Sequence, residues 1–233
     1  MDYRLRSAVC QVLQGRYAMS LEMRYQKISS SVNPNAIIRV TPGHFATTHS
    51  HINNYVDMTI LKSRRSEAEA AAKVLAPKYV NSTYIDTIIC MDGCEVIGAY
   101  LADELSHAGV HSLNLHSTIY IVSPEIHTGG QLIFRDNMQF MIRNKHCILL
   151  LASASTGRTI AKALECVRYY GGIVEGVSAL FSASKTVNGI EVNAIFNDDD
   201  VPNYETYEVN SCPMCARGEK VDAIVNSYGY SQL

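Results

Sequence analysis

The apolar positions of this chain alternate between two periods, and the alternation predicts strands joined by helices. Four segments rich in apolar residues have the length and the flanking turns of buried strands. They span residues 86–91, 117–122, 147–152 and 174–181. Segments with apolar residues at helical spacing predict helices before and between these strands. They span residues 66–75, with Ser66 as the N-cap, and residues 95–107, 137–143 and 158–170.

The two ends of the chain carry different patterns. Residues 2–28 have apolar positions at near-helical spacing and predict one or two helices. Residues 35–60 contain two groups of β-forming residues around Pro42-Gly43 and a histidine-rich loop, which predicts two short strands. The C-terminal part contains a strand, an acidic turn at residues 198–200 and a cysteine-containing tail.

Because strands and helices alternate through the middle of the chain, we expect an α/β fold. Its centre is a parallel sheet of about five strands flanked by helices on both faces. The N-terminal segment and the C-terminal tail are expected to form a small hood. The predicted boundaries are 1–60 for the N-terminal helices and hood strands, 61–190 for the α/β core and 191–233 for the C-terminal hood and tail.

The composition favours a compact, soluble, cytoplasmic protein. The chain has 233 residues and is 47% hydrophobic, which suffices for one extended core. The net charge of -2 offers no overall basic field for nucleic acid or an anionic membrane. The apolar runs are too short to cross a membrane, and the N-terminus lacks a signal-peptide pattern. Seven scattered cysteines indicate a reducing compartment rather than a disulfide framework.

Residues 147–160 form the most informative local pattern, because an apolar strand runs into a hydroxyl-rich turn that opens a helix. Backbone amides of such a turn, the positive end of the helix dipole and a guanidinium can converge on one phosphate. The turn is not a Walker loop, and a polar turn that only caps the helix is the alternative interpretation. The candidate phosphate-binding residues are Ser153, Ala154, Ser155, Thr156, Gly157, Arg158 and Thr159.

Together with its flanking segments, this pattern resembles the type I phosphoribosyltransferases, and most of all the orotate phosphoribosyltransferases. The family's motif is an apolar strand, two adjacent acidic residues, a short spacer and Thr-Thr-Gly followed by Ser or Thr; residues 155–159 match its second half. Residues 47–57 resemble the family's hydroxyl-rich turn before Tyr-x-Asp, and residues 212–218 resemble the Cys-Pro-x-Cys ending of several members. The resemblance covers about residues 35–220 and implies a homodimer.

A further segment, residues 88–102, resembles the family loop that takes the pyrophosphate of phosphoribosyl pyrophosphate (PRPP). The resemblance places Asp92, Gly93, Cys94 and Glu95 beside that pyrophosphate. Asp92 and Glu95 also have the chemistry to replace missing acids of the site. Glu95 is better explained as a residue that favours a helix N-terminus.

The chain departs from the family pattern at two places that matter for catalysis. Leu151 and Ala152 occupy the acidic positions, which in the family hold the ribose hydroxyls and support the charge that develops at the anomeric carbon. Loss of such preorganised groups costs several kcal/mol of transition-state stabilisation. The loop over 123–131, expected to be mobile, lacks the family's Arg-Lys start, and His127 is its only residue that can become positively charged.

These features predict a phosphoribosyltransferase-like protein that binds a ligand containing ribose 5-phosphate, either PRPP or a nucleotide, with weak or no transferase activity. One alternative is an active orotate, or related, phosphoribosyltransferase of pyrimidine metabolism, a glycosyltransferase that needs Mg²⁺. Without activity, no cofactor is expected. A second alternative is a structural or interaction module assembled by a metal ion.

The evidence for a metal site is weak at the level of sequence. Three histidines lie within residues 44–51, but no carboxylate or cysteine is near them in sequence, so we expect structural or ligand-edge roles. Cys212 and Cys215 have zinc-knuckle spacing, yet one pair supplies only two ligands. Cys90 and Cys94 complete such a site only if the fold brings them close. A tight turn with a packed thiol is the simpler expectation for the tail.

Overall fold

The structure is a computed structural model that describes residues 21, 24–109, 112–115, 117–154, 157–187 and 189–233. Within these residues the strands form two sheets and one small hairpin. The strands are β1 (Gln26–Ser29), β2 (Ile37–Ala46), β3 (Ser50–Asp57), β4 (Thr87–Cys90), β5 (Tyr120–Val122), β6 (Glu125–Ile126), β7 (Leu132–Ile133), β8 (His146–Ala154), β9 (Ile173–Ser182), β10 (Thr186–Val187), β11 (Ile190–Asn197), β12 (Thr206–Glu208), β13 (Ala223–Asn226) and β14 (Gly229–Gln232). The α-helices are α1 (Thr59–Ser63), α2 (Arg65–Leu75), α3 (Glu95–His107), α4 (Arg158–Tyr169) and α5 (Pro213–Ala216).

The main sheet has six strands in the order β10-β11-β9-β8-β4-β5. Strands β11, β9, β8, β4 and β5 are parallel to their neighbours, and only the two-residue edge strand β10 is antiparallel. The prediction of a parallel sheet of about five strands is therefore confirmed. Alternate residues of β8 pack on opposite faces, since Ile148 and Leu150 belong to one buried cluster and Leu149 and Leu151 to the other.

Helices cover both faces of this sheet. Helices α2 and α3 pack in the first cluster, and α4 packs in the second, through Ile160, Leu164 and Val167. Helix α3 lies so close to β4 that a Cβ at Gly98 would come within 2.5 Å of the Cys90 sulfur. A glycine at this position therefore permits the contact between helix and sheet.

The second sheet combines the two ends of the described chain. Its order is β12-β3-β2-β13-β14, and β1 pairs with β2. Strands β2 and β3 are antiparallel, with a register shift between Pro42 and Phe45. This β-bulge lets β2 continue through Pro42 and Gly43, where an unbroken ladder would not accept a proline. The domain boundaries predicted above stay predictions, although β11 places residues up to Asn197 in the main sheet.

Several local expectations are corrected. The helices predicted over 2–28 lie almost wholly outside the described residues, and their end is strand β1 instead. The predicted break at Pro42-Gly43 is wrong, because the turn lies at residues 47–49, after the bulge. Ser66 is not an N-cap: α2 begins at Arg65, and the Ser66 hydroxyl donates to Glu67.

Elsewhere the elements agree closely with the sequence patterns. Helix α3 has the predicted bounds, and α4 ends one residue early. The short helix predicted over 137–143 is a single 3₁₀ turn, Gln139–Met141, and the loop over 123–131 contains part of the β6–β7 hairpin. In the described part of the chain, no helix has both the length and the apolar character needed to cross a bilayer.

Candidate functional site

A cavity of about 260 Å³ opens where the carboxyl ends of β4 and β8 face the second sheet. Its walls come from Asp92 after β4, Ser153 in β8 and residues 157–160 at the start of α4. The second sheet contributes residues 47–50 of the β2–β3 turn and residues 225–227 at the end of β13. Ligands of parallel α/β folds bind at this end of the strands.

The predicted phosphate-binding segment forms one wall of the cavity. Ser153, Ala154, Gly157, Arg158 and Thr159 all line it. The other two candidates, Ser155 and Thr156, lie outside the described residues. Gly157 is the N-cap of α4 and has a φ of 70°, a left-handed conformation that favours glycine. The first turn of the helix therefore points its free amides and its dipole toward the cavity.

Leu151 and Ala152, which the family resemblance aligns with an acidic pair, are core residues rather than cavity residues. Leu151 and Ala152 are fully buried, Leu151 in the cluster under α4 and Ala152 in the cluster under α2 and α3. Neither lines the cavity. The two apolar side chains at these positions thus belong to the core.

The turn after β4 brings one acid to the site. Asp92, with a φ of 59°, and Gly93, with a φ of 77°, shape this turn, and Asp92 lines the cavity. Cys94 is the N-cap of α3 and is buried in the core. Glu95 occupies the first turn of α3 and accepts a hydrogen bond from the Ser123 hydroxyl at 2.6 Å. Gly93, Cys94 and Glu95 are not among the lining residues.

Asp92 sits in a mixed electrostatic environment. Burial raises the pKa of its carboxyl, and the nearby Glu95 charge acts in the same direction. Hydrogen bonding from Ser227 and from the backbone of Ala152, together with the charge of Lys62, lowers that pKa in part. The carboxyl therefore lies against the backbone of Ala152.

Positive charge predominates in the cavity. Lys62, Arg158 and Lys162 line it, and Asp92 is the one carboxylate among its described lining residues. The Lys62 ammonium donates to the carbonyl oxygens of Asp92 at 2.7 Å and Ser227 at 2.6 Å, so it also ties α1 to the turn after β4 and to the tail. The cavity is thus suited to an anion.

Two of these cations were not identified from the sequence. Lys162 follows Arg158 by one helical turn, so the helical spacing of α4 carried a signal that it shares Arg158's face. Lys62 belongs to the short helix α1, and no local pattern indicates that it reaches the cavity. The same is true of residues 225–227, which arrive from the far end of the chain.

His127, the loop residue expected to carry charge, does not line the cavity. It is exposed at the tip of the β6–β7 hairpin, where its amide donates to the Gln131 carbonyl at 2.8 Å. At the base of this hairpin, Glu125 accepts two hydrogen bonds from Arg135, each of 2.7 Å. The hairpin approaches the site at Gly130, where a Cβ would lie 3.7 Å from the Lys162 ammonium nitrogen.

Two of the histidines and two of the cysteines considered from the sequence lie together at a second site, outside the cavity. His44, His51, Cys212 and Cys215, here called the His–Cys cluster, place one nitrogen or sulfur atom each within 4.8 Å of one another. Two cysteines that are far from the histidines in sequence thus lie beside His44 and His51 in the fold, which the sequence did not lead us to expect. His49 instead is exposed and lines the cavity.

The second cysteine pair considered from the sequence does not join this cluster. Cys90 and Cys94 are fully buried in the cluster of core residues that α2 and α3 cover. Burial raises the pKa of both thiols, as expected for cysteines enclosed by apolar side chains. The partners of Cys212 and Cys215 are histidines from β2 and β3 instead.

Comparison with known proteins gives a match at the level of structure. No protein-family model matches the chain, and no curated protein is detectably similar in sequence. Leishmania donovani UMP synthase superposes with a TM-score of 0.52 and 15% identity, over 69% of this chain and 34% of that protein. The present chain thus spans about a third of that protein's length.

Two further solved structures are similar, both with little sequence identity. A Corynebacterium diphtheriae phosphoribosyltransferase is 16% identical, with a TM-score of 0.49 over 70% of this chain and 90% of its own. Aeropyrum pernix orotate phosphoribosyltransferase is 18% identical, with a TM-score of 0.48 over 69% and 88%. The superposition on UMP synthase and the five parallel strands of the main sheet agree with the sequence pattern. The chain therefore has the fold of the type I phosphoribosyltransferases.

Proposed function

We propose that this protein binds a ligand containing ribose 5-phosphate, such as PRPP or a nucleotide, with little or no phosphoribosyl transfer. The observation that carries the proposal is the charge of the cavity. Three cations and one carboxylate line it in the described part of the chain, at the end of the sheet where a helix begins. An anionic ligand gains from this arrangement, and a neutral sugar does not.

The phosphate is assigned to the start of α4. Gly157 lets the chain turn sharply into the helix, and the following amides are free of intrahelical partners. Arg158 and Thr159 are exposed beside these amides and line the cavity. Ser155 and Thr156 complete the proposed phosphate site from the sequence. The guanidinium and the hydroxyls would bind the phosphate oxygens by charge-assisted hydrogen bonds.

Weak transfer follows from the residues that replace the acidic pair. Leu151 and Ala152 direct their side chains into the core, so they offer nothing to the ribose hydroxyls or to a developing positive charge. The predominance of cations also disfavours a cationic transition state at the anomeric carbon. The residues of the cavity therefore support binding of the ligand but not phosphoribosyl transfer.

A melting experiment tests binding and transfer together. The protein is titrated with ribose 5-phosphate, PRPP and nucleoside monophosphates, with ribose and inorganic phosphate as controls, with and without Mg²⁺. We expect the phosphorylated sugars to raise the melting temperature, ribose to leave it unchanged and no pyrophosphate to be released with orotate. If none of the phosphorylated sugars stabilises the protein, the proposal fails.

One observation favours a second candidate, an active transferase with a relocated acid. Asp92 lies in the cavity, and its carboxyl is close to the backbone of Ala152, where the family has an acidic residue. A single carboxylate also suits Mg²⁺, which commonly uses one or two carboxylates together with phosphates of the substrate. Magnesium-dependent release of pyrophosphate from PRPP and orotate, abolished by Asp92→Asn, would establish this candidate.

The homodimer implied by the family resemblance stays a prediction. Light scattering coupled to size-exclusion chromatography measures it directly. A mass of about twice the 25.7 kDa chain is the expected result.

A further inference from the structure

The His–Cys cluster lies between the second sheet and the segment around α5, and it takes no part in the proposed phosphate site. We propose that it binds one Zn²⁺ ion in a closed, structural Cys₂His₂ centre. The ligands are His44 Nε2, His51 Nδ1 and the sulfur atoms of Cys212 and Cys215. These atoms belong to β2, β3 and the segment around α5, so the metal joins the two ends of the chain.

Three of the four sulfur–nitrogen distances in the cluster are close to those of a tetrahedral centre. The sulfur atoms of Cys212 and Cys215 each lie 3.6 Å from His44 Nε2, and Cys215 Sγ lies 3.3 Å from His51 Nδ1. Zinc bonds of about 2.3 Å to sulfur and about 2.0 Å to nitrogen, arranged tetrahedrally, separate a sulfur from a nitrogen ligand by about 3.5 Å. The two ring nitrogens, 2.9 Å apart, need to separate by only a few tenths of an ångström.

The outer ring nitrogen of His44 has the partner that a metal-bound histidine requires. His44 Nδ1 lies 3.0 Å from the carbonyl oxygen of Glu219, which can only accept, so Nδ1 carries the hydrogen. The lone pair is then on Nε2, which faces the two thiols. A backbone carbonyl in this position is the common partner that orients a zinc-bound histidine.

The backbone around the cluster is already fixed. The His44 amide donates to the Asp222 carboxylate at 2.8 Å, and the Asp222 amide donates to the His44 carbonyl at 2.7 Å. His51 pairs with Tyr207 in the β3–β12 ladder, and Cys212 is the N-cap of α5. The ligands therefore belong to rigid elements and lose little conformational entropy when the metal binds.

The ligand set indicates both the metal and its role. Two thiolates and two neutral imidazoles are preferred by Zn²⁺, and two thiolates cancel its charge. Four protein ligands leave no open position, so the centre is structural rather than catalytic. Cys215 is exposed while the other three ligands are buried, which gives the ion a path of entry. The metal would also fix the β2–β3 turn, whose residues 47–50 line the cavity.

Elemental analysis of the intact chain tests the proposal. Protein expressed with zinc in the medium and purified under reducing conditions without chelator is analysed for metal and for free thiols. We expect one zinc per chain in wild type and a zinc content near zero in Cys215→Ser. Because Cys215 is the exposed residue of the cluster, this substitution is the one least expected to disturb folding. Cys166→Ser removes a buried thiol outside the cluster and His49→Ala removes the adjacent exposed histidine; both should keep the full zinc content.

A second measurement does not depend on any variant. Metal-free wild-type protein is titrated with Co²⁺, whose thiolate charge-transfer and tetrahedral d–d absorption bands report the geometry and the sulfur ligands. We expect saturation at one Co²⁺ per chain and displacement of Co²⁺ by Zn²⁺. The proposal is overturned if the reduced wild-type protein holds neither metal, if Cys215→Ser holds zinc as well as wild type does, or if Cys212 and Cys215 are isolated as a disulfide.

Discussion

The cavity and the His–Cys cluster are two polar sites that differ in exposure, charge and construction. The cavity is open, carries three cations and takes its proposed phosphate site from one continuous segment of the chain. The cluster has three of its four residues buried and offers nitrogen and sulfur atoms as metal ligands. It joins residues as much as 171 positions apart. An open, positively charged site suits an anionic ligand that exchanges with solvent. A closed site of nitrogen and sulfur ligand atoms suits a metal ion that stays bound.

The largest expected effect concerns the core next to the cavity, at Leu151. Leu151 is fully buried under α4, so Leu151→Asp removes a core side chain and buries a carboxylate. We expect the free energy of unfolding to fall by about 3 to 5 kcal/mol, measured by urea denaturation. Leu151→Met, which conserves volume, should cost less than about 1.5 kcal/mol.

The Leu151→Asp variant also shows whether this position belongs to the core or to the site. If the variant keeps its stability and gains pyrophosphate release with PRPP and orotate, the side chain faces the cavity. The assignment of Leu151 to the core would then be incorrect.

Arg158→Ala is expected to have the next largest effect, and it acts on binding. Losing a charge-assisted hydrogen bond should weaken the affinity for a phosphorylated ribose by about 1.5 to 3 kcal/mol, measured by calorimetry. Arg168→Ala, at the other end of the same helix, is the matched control and should leave the affinity unchanged. Equal affinities in wild type and Arg158→Ala would remove this guanidinium from the site.

His44→Ala tests the cluster in the absence of any metal. His44 is 3% exposed and hydrogen-bonds the Glu219 carbonyl and His51, so its loss removes a buried ring together with two hydrogen bonds. We expect a loss of about 1 to 3 kcal/mol in unfolding free energy, measured with chelator and reductant present. The exposed His49 is the control, and His49→Ala should change stability by less than about 0.5 kcal/mol. Equal losses in the two variants would contradict the difference in burial.

The difference between the two sites also explains what could be predicted from the sequence. The segment from β8 to α4 is local: an apolar strand, a glycine with a positive φ and an amphipathic helix follow one another along the chain. Helix α3 likewise carried its own end signals, with Glu95 in the first turn and Gly109 just beyond its last residue. Such elements depend on near neighbours, so their patterns predict them well.

The cluster carried only two separate local signals, the histidines within residues 44–51 and the spacing of Cys212 and Cys215, and no local pattern joined them. Pro42 and Gly43 indicate a break, and only the pairing of β2 with β3 shows that a bulge accommodates them. That bulge keeps His44 in a strand, from which it meets His51 and a tail 168 positions away. Lys62 was missed for a related reason, because its partners Asp92 and Ser227 lie on other elements. Long-range assembly of this kind is set by the tertiary fold rather than by any sequence period.

Gly157→Ala sharpens the assignment of the turn before α4. A Cβ at this φ of 70° is strained and would lie 3.0 Å from Val187 Cγ1. We expect a loss of about 1 to 2 kcal/mol in unfolding free energy, measured by urea denaturation. Gly189 has a similar φ of 77°, and a Cβ there would have no atom within 4 Å. Gly189→Ala therefore introduces backbone strain without a steric contact and should lower the free energy of unfolding by less. A larger loss for Gly189→Ala would show that the contact with Val187 does not determine the loss of stability in Gly157→Ala.

The smallest effect concerns the charge of Asp92 in the cavity. Because burial raises the pKa of this carboxyl above its ordinary value of 3.8, the protonated form is favoured in the folded state. Its contribution to stability is thus present in acid and is lost as the pH rises through the folded-state pKa. We expect Asp92→Asn to gain in melting temperature relative to wild type between about pH 4 and pH 7. Asp199→Asn, at an exposed position, should show no such trend. If the gain for Asp92→Asn shrinks with rising pH, the effects of Lys62 and Ser227 on the pKa of Asp92 outweigh the effect of burial.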